Sequence, residues 1–244
     1  MLPIGDRNPT RTTPFVNYCL LAANVAVFLL QERILLKGGE AWLVPGYGLV
    51  PTRFVHDVPG EAFTVFTSMF MHGGWAHLGS NMLFLYIFGD NVEDSIGHGR
   101  YLAFYLLSGI GAAAAQVLTN PASQLPMVGA SGAIAGVLAG YLVLYPSAPI
   151  TLLVPPPLLF FTGLFIVMPA YVVIGVWFAL QLFSGVGSLG QAETGGVAFF
   201  AHVGGFLTGL VLVKPLQSGR PRYDHDRWRG WRPPERAAAR GRWS

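Results

Sequence analysis

Long apolar stretches, each about one bilayer crossing in length and each bounded by polar or glycine-rich residues, set the pattern of this chain. Crossing a hydrocarbon core takes roughly 20 helical residues. Six stretches qualify: residues 15–36, 75–88 continued to about 95, 101–118, 131–145, 169–184 and 197–213. The runs are continuously apolar rather than alternating with period two, which disfavours a membrane β-barrel. Residues 148–168 are apolar too, but Pro155, Pro156 and Pro157 would break a helix there, so this stretch is read as an interfacial connection. The pattern predicts an all-α membrane protein with six transmembrane helices.

Composition sharpens the class. The chain has 244 residues, 52% apolar and 11% charged, against about 25% charged in soluble domains. Residues 101–192 carry no Asp, Glu, Lys or Arg at all. A soluble enzyme, a disordered chain and a coiled coil are thereby excluded.

Charge then suggests orientation. Lys214 and eight arginines stand against Asp224, Asp226 and Glu235 in residues 214–244, giving +6, while residues 1–14 give +1 and the 37–74 connection −1. Positive charge stays cytoplasmic. The expected organisation is a cytoplasmic segment 1–14, a membrane domain 15–213 and a basic, disordered cytoplasmic tail 214–244. The tail, with Trp228, Trp231 and Trp243, reads as a solvated orientation signal rather than a specific nucleic-acid surface. Cys19 is the single cysteine, so no intrachain disulfide is expected. The apolar run beginning at Phe15 is longer than the core of a cleaved signal peptide.

Polar residues inside spans are expensive and therefore informative. The second span opens on His72, with His77 and Asn81 four residues apart on one helix face. The fourth opens Gly129-Ala130-Ser131-Gly132, and the sixth opens Ala201-His202 with Gly205 following. By the alternation of spans, these three openings share one depth in the outer half. A serine at a helix N-terminus, beside free N–H groups, suits a developing oxyanion. Residues 119–130 would have to dip in to meet it, which implies a water-filled cavity. Gly132, Gly136 and Gly140 form one small-residue stripe and Gly205 and Gly209 another, and such stripes let membrane helices approach closely. Packing them together would bring Ser131 and His202 into reach.

Several chemistries fit poorly. There is no His-Glu-x-x-His motif, although His72, His77 and His202 leave a three-histidine zinc site as an alternative. Asp90, Glu93 and Asp94 lie at the far end of the second span, too distant for aspartyl chemistry. Serine with a histidine base remains. Glu193, nine residues before His202, reads as a solvated loop charge, which leaves a dyad without an orienting acid. His202 takes the proton from Ser131 and returns it to the leaving amine; His77, Asn81 and the Ser131 N–H stabilise the oxyanion. A buried imidazole with no carboxylate partner stays neutral, as a base requires.

These residues resemble the rhomboid family of intramembrane serine proteases. Val128-Gly129-Ala130-Ser131-Gly132-Ala133 is similar to its serine motif. Ala201-His202-Val203-Gly204-Gly205 with Gly209 is similar to its histidine motif, and Phe70-Met71-His72 through His77, Asn81 and Met82 to its second-helix signature. The opening Pro3 to Thr10 also looks like that of many bacterial members. The resemblance covers about residues 3–213. It implies Ser131 as nucleophile and His202 as base, His77 and Asn81 at the oxyanion, and supporting places for His72, Gly129, Gly132 and Gly205. It also implies catalysis without cofactor or metal, transmembrane proteins as substrates, and a multi-pass bacterial inner-membrane location. Glu93 and Arg100 match structural positions around the turn after the second span. Phe63 and Thr64 replace a Trp-Arg pair of some members, and Ala135 replaces an aromatic that packs on the histidine. The alternatives are a catalytically silent relative that binds membrane helices and a six-span channel or transporter. Pro169, Gly163 and Gly185 around the fifth span suit a movable gate, and residues 185–196 a loop that caps the cavity.

Overall fold

The computed structural model describes residues 1–38, 40–156, 163–188 and 198–217. In chain order the elements are β1 (Leu2–Asp6), α1 (Phe15–Leu35), α2 (Glu40–Tyr47), α3 (Pro51–His56), α4 (Val58–Glu61), α5 (Thr64–Thr67), α6 (Trp75–Ile96), α7 (His98–Thr119) and α8 (Ser131–Leu144). They continue with β2 (Pro149–Leu153), β3 (Phe165–Pro169), α9 (Ala170–Ser188) and α10 (Phe199–Leu216). Among the described residues, α1, α7, α9 and α10 are long and apolar enough to cross a membrane. The remaining two long apolar stretches are α6, which carries Asp90, Glu93 and Asp94 in its last turns, and α8, a 14-residue helix. The basic tail after Gln217 and Glu193 lie outside the described residues.

The chain is mostly helical but not all-α. Residues 2–6, expected as a plain leading segment, form β1, which pairs antiparallel with β2; β2 in turn pairs antiparallel with β3 from Pro149–Pro169 to Leu153–Phe165. The reason is local. Pro149 and Pro155 cut short apolar runs rich in β-branched residues out of the stretch read as a connection, and such runs satisfy their backbone by pairing. Ile150 and Ala148 close onto the helical core. The 37–74 connection is not open loop either: α2 to α5 fold across it, with Arg53 gripping Glu61 through two hydrogen bonds of 2.8 and 2.6 Å.

α8 is the central helix, buried without a break from Gly132 to Tyr141 and packed by α6, α7 and α10. Its small residues let α10 come within backbone contact. A Cβ on Gly205 would strike the carbonyl of Gly132, and one on Gly209 the carbonyl of Gly136. The two glycine stripes are therefore one helix–helix contact.

The opposite end of the bundle is held by polar pairing. Glu93 of α6 accepts the first-turn N–H groups of Val16 and Asn17 at 3.0 and 2.7 Å, supplying the free N-terminal donors of α1 with a buried carboxylate. His98 Nδ1 lies 2.5 Å from the same carboxylate. One residue, Gly97, joins α6 to α7 at φ 88°, a conformation that favours glycine. Arg100 donates to the Leu216 carbonyl at 3.0 Å, meeting the C-terminal end of α10.

Candidate functional site

Ser131 is the first residue of α8, where the turn's free N–H groups face outward from the helix end. The chain reaches it along residues 120–130, which are pinned from outside. Leu49 and Met127 exchange N–H to O bonds of 3.0 and 2.8 Å, the Thr52 N–H donates to Ser123 O at 3.0 Å, and the Gly129 N–H donates to Ser68 O at 2.8 Å. Gly129 has φ 127°, and a Cβ there would stand 2.7 Å from His77 Nε2. Both backbone shape and space require glycine at this place.

His202 lies in the first turn of α10 and is 7% exposed. Its Nε2 is 2.7 Å from Ser131 Oγ. The tight contact between Gly132 and Gly205, one residue after the serine and three after the histidine, brings the two side chains together. On the other side of the ring, His202 Nδ1 is 2.7 Å from Gln181 Oε1 of α9. The Trp177 ring, one turn earlier on α9, packs on the imidazole at 5.8 Å between centroids, tilted by 43°. An aromatic therefore covers the histidine even though position 135 holds alanine; it comes from α9 instead of α8.

His77 and Asn81 occupy one face of α6. The Gly73 N–H donates to His77 Nδ1 at 3.3 Å, so Nδ1 is the acceptor and the ring proton is carried by Nε2, the edge turned toward Gly129. Asn81 is buried, and its Nδ2 has no acceptor among the described residues. His72 is fully buried outside the cavity wall and braces His77 edge-on, with ring centroids 5.2 Å apart. Its backbone is clasped by Gln31, whose Nε2 donates to His72 O at 2.6 Å while its Oε1 accepts the His72 N–H at 3.2 Å.

Ser131, His202, His77, Asn81, Gly129 and Gly132 all line one open cavity of about 840 Å³. Gly205 stands just behind the wall. This arrangement offers a hydroxyl hydrogen-bonded to an imidazole nitrogen, with N–H donors on the facing wall. Among the described residues no group of three His, Cys, Asp or Glu side chains converges as a metal site, so the three-histidine alternative has no support in the geometry. The expected 185–196 loop is different from its reading: residues 185–188 continue α9, and residues 189–197 lie outside the described residues. Gln181 and Trp177 were missed in the sequence reading. A signal for Gln181 was present, since it is an amide inside an otherwise apolar span.

Residues 59–218 match the model of the Rhomboid domain family. The chain is 28% identical to the mitochondrial rhomboid protein 1 of Saccharomyces cerevisiae over 84% of its own length and 55% of that protein. It is 31% identical to RHOMBOID-like protein 4 of Arabidopsis thaliana over 82% of its length and 52% of that relative. Against the rhomboid protease GluP of Bacillus subtilis it is 33% identical over 53% of its length and 24% of that protein. The chain thus spans about half the length, or less, of these curated relatives.

Proposed function

The chain belongs to the rhomboid family, and from that premise we propose that it is an intramembrane serine endopeptidase that cleaves single-span membrane proteins within or near their transmembrane helix by a Ser131–His202 dyad. The observation that carries this reading is the 2.7 Å contact between Ser131 Oγ and His202 Nε2 on the wall of an open cavity.

The chemistry follows from the tautomers. His202 Nε2 takes the Ser131 proton as Oγ attacks the scissile carbonyl carbon. The carbonyl π electrons move to oxygen, where His77 Nε2–H, Asn81 Nδ2–H and the Ser131 N–H receive the charge. The tetrahedral centre collapses, the C–N bond breaks, and the proton on Nε2 passes to the leaving amine. Water, deprotonated by Nε2 in its turn, then releases the acyl group and restores the serine.

The membrane arrangement we propose is six spans, α1, α6, α7, α8, α9 and α10, with both ends cytoplasmic and a bacterial inner membrane as the location. α9 leans on α10 and α8 and scarcely touches α6, which supports a lateral path for a substrate helix between α6 and α9. The test is incubation of the purified protein with a reporter single-span helix, wild type beside Ser131→Ala and His202→Ala. Wild type cleaves; both variants stay folded and do not. Helix binding without cleavage by wild type would point to a silent relative, and solute flux in liposomes without proteolysis to a channel.

A further inference from the structure

We propose that Gln181 is a positioning residue for His202, the neutral third member of a Ser131–His202–Gln181 relay. This rests on the proteolytic reading and deepens it. An amide oxygen only accepts. With Gln181 Oε1 at 2.7 Å, the proton of neutral His202 resides on Nδ1. The lone pair of Nε2 is then aimed at Ser131 Oγ, 2.7 Å away, in the tautomer a general base needs. The opposite tautomer would donate to the serine and leave it without a base. His77 shows the complementary arrangement, since its Nδ1 is occupied by the Gly73 N–H and its proton is on Nε2. Two imidazoles across one cavity are thus locked in opposite tautomers by their second nitrogens, one as acceptor and one as donor.

An amide suits this depth. A carboxylate would need its own charge desolvated between helices, whereas Gln181 orients the ring without burying a charge. When Nε2 is protonated in the reaction, Nδ1–H remains on nitrogen and the amide carbonyl dipole faces the imidazolium. The groups that bear on His202 are Ser131 from α8, His77 across the cavity from α6, and the uncharged Gln181 and Trp177 from α9. Trp177 fixes the ring plane, and Gln181 fixes which nitrogen carries the proton. Both come from α9, the least buried of the four long apolar helices, so the histidine is set only while α9 is docked.

The experiment compares purified wild type, Gln181→Met and Gln181→Glu, with His202→Ala and Ser131→Ala as references. It records thermal stability, kcat and KM on a reporter helix, the pH profile of kcat/KM, and ring ¹⁵N shifts of the histidine signal that His202→Ala removes. Methionine fills a similar volume and replaces the amide oxygen with a thioether that accepts only weakly. The expected result is a kcat lower by about 10- to 100-fold with KM within about twofold, unchanged Tm, and ¹⁵N shifts moved away from the pure Nδ1–H form. Gln181→Glu recovers most of kcat and moves the acid limb of the profile up by about one pH unit, because a carboxylate favours the imidazolium. A Met variant with wild-type kcat and wild-type tautomer overturns the proposal. So does a Met variant whose loss tracks lost folded protein and is shared by the Glu variant with its acid limb unmoved. If wild type cleaves no more than Ser131→Ala, the proteolytic reading fails by itself, and the ¹⁵N shifts still decide the role of Gln181.

Discussion

Asn17 and Asn81 are both buried amides, at opposite ends of the bundle, and they are treated in opposite ways. Asn17 Nδ2 donates to Leu85 O at 3.0 Å and its Oδ1 accepts Tyr101 Oη at 2.8 Å. Asn81 Nδ2 has no acceptor among the described residues and fronts the cavity. The same contrast holds for the neighbouring groups: Glu93 receives three donors, whereas Ser131 is half-buried at an open wall. Polarity that is saturated by protein locks helices together; a polar group left unsaturated on a cavity wall is available to a substrate. For Asn17 and Glu93 against Asn81 and Ser131, the hydrogen-bond partners distinguish a structural role from a place on the cavity wall.

The sharpest way to break it is to exchange the effects of the two ends. Glu93→Ala strips the acceptor from two buried backbone N–H groups and an imidazole, and should cost about 3–5 kcal/mol of stability, read as a large fall in Tm. Ser131→Ala should lower kcat by more than about 10³-fold while leaving Tm within the scatter of the measurement. A Ser131→Ala protein that melts early, beside a Glu93→Ala protein of native stability, would reverse the assignment of the two ends.

A smaller exchange uses the amides. Asn81→Ala removes a donor on the cavity wall and, under the proposed mechanism, should reduce kcat by about 10²–10³-fold, or 2.7–4 kcal/mol, with little change in Tm. Asn17→Ala leaves Tyr101 Oη and the Leu85 carbonyl without their partner, and should cost about 1–3 kcal/mol of stability while activity per folded molecule holds. Measuring both quantities on both variants sharpens the contrast, because a residue with mixed duties would move both.

Much of this division was legible in the sequence, and the limits of legibility are physical. The helices fall where 20-residue apolar runs had to fall; α1, read as 15–36, is Phe15–Leu35. Ser131, His202, His77 and Asn81 stood out because each is a polar group where lipid penalises one, and the glycine stripes gave the contact that joins them. Gln181 carried the same signal, an amide where lipid penalises one, but its role could not be assigned, since that depends on which face of α9 meets α10, and periodicity does not reveal that. The sheet escaped for a related reason: β1 and β2 are about 145 residues apart, and two short proline-bounded runs do not announce that they pair. Glu93 was recognised only by resemblance, because the donors it serves are backbone N–H groups, which carry no sequence signature.

The smallest expected effect is a pH dependence at the structural end. Tyr141 Oη, near the end of α8, donates to Asp6 of β1 at 2.5 Å. Burial pushes the Asp6 carboxyl up to about 6, and the hydrogen bonds from Tyr141 and the backbone offset only part of that. The sign follows by linkage. The folded state holds the proton more tightly than the unfolded chain, whose Asp titrates near 3.9. Between those two values the unfolded chain is ionised and the folded protein is not, so stability falls as pH rises from about 4 to about 6 and then levels off. A shift of about two pH units sets an upper bound of about 3 kcal/mol; because Asp6 is only half-buried and water reaches it, the change should be nearer 1 kcal/mol, about 2–4 °C in Tm for a chain of this size. Asp6→Asn removes this carboxyl while Asp90 beside it remains, and its Tm should lose the part of the slope that Asp6 contributes and exceed wild type above pH 6. Catalytic rate per folded molecule should stay unchanged in Asp6→Asn, because the opposite end of α8 holds the serine; a matching fall in kcat would mean that the two ends of this helix are not independent.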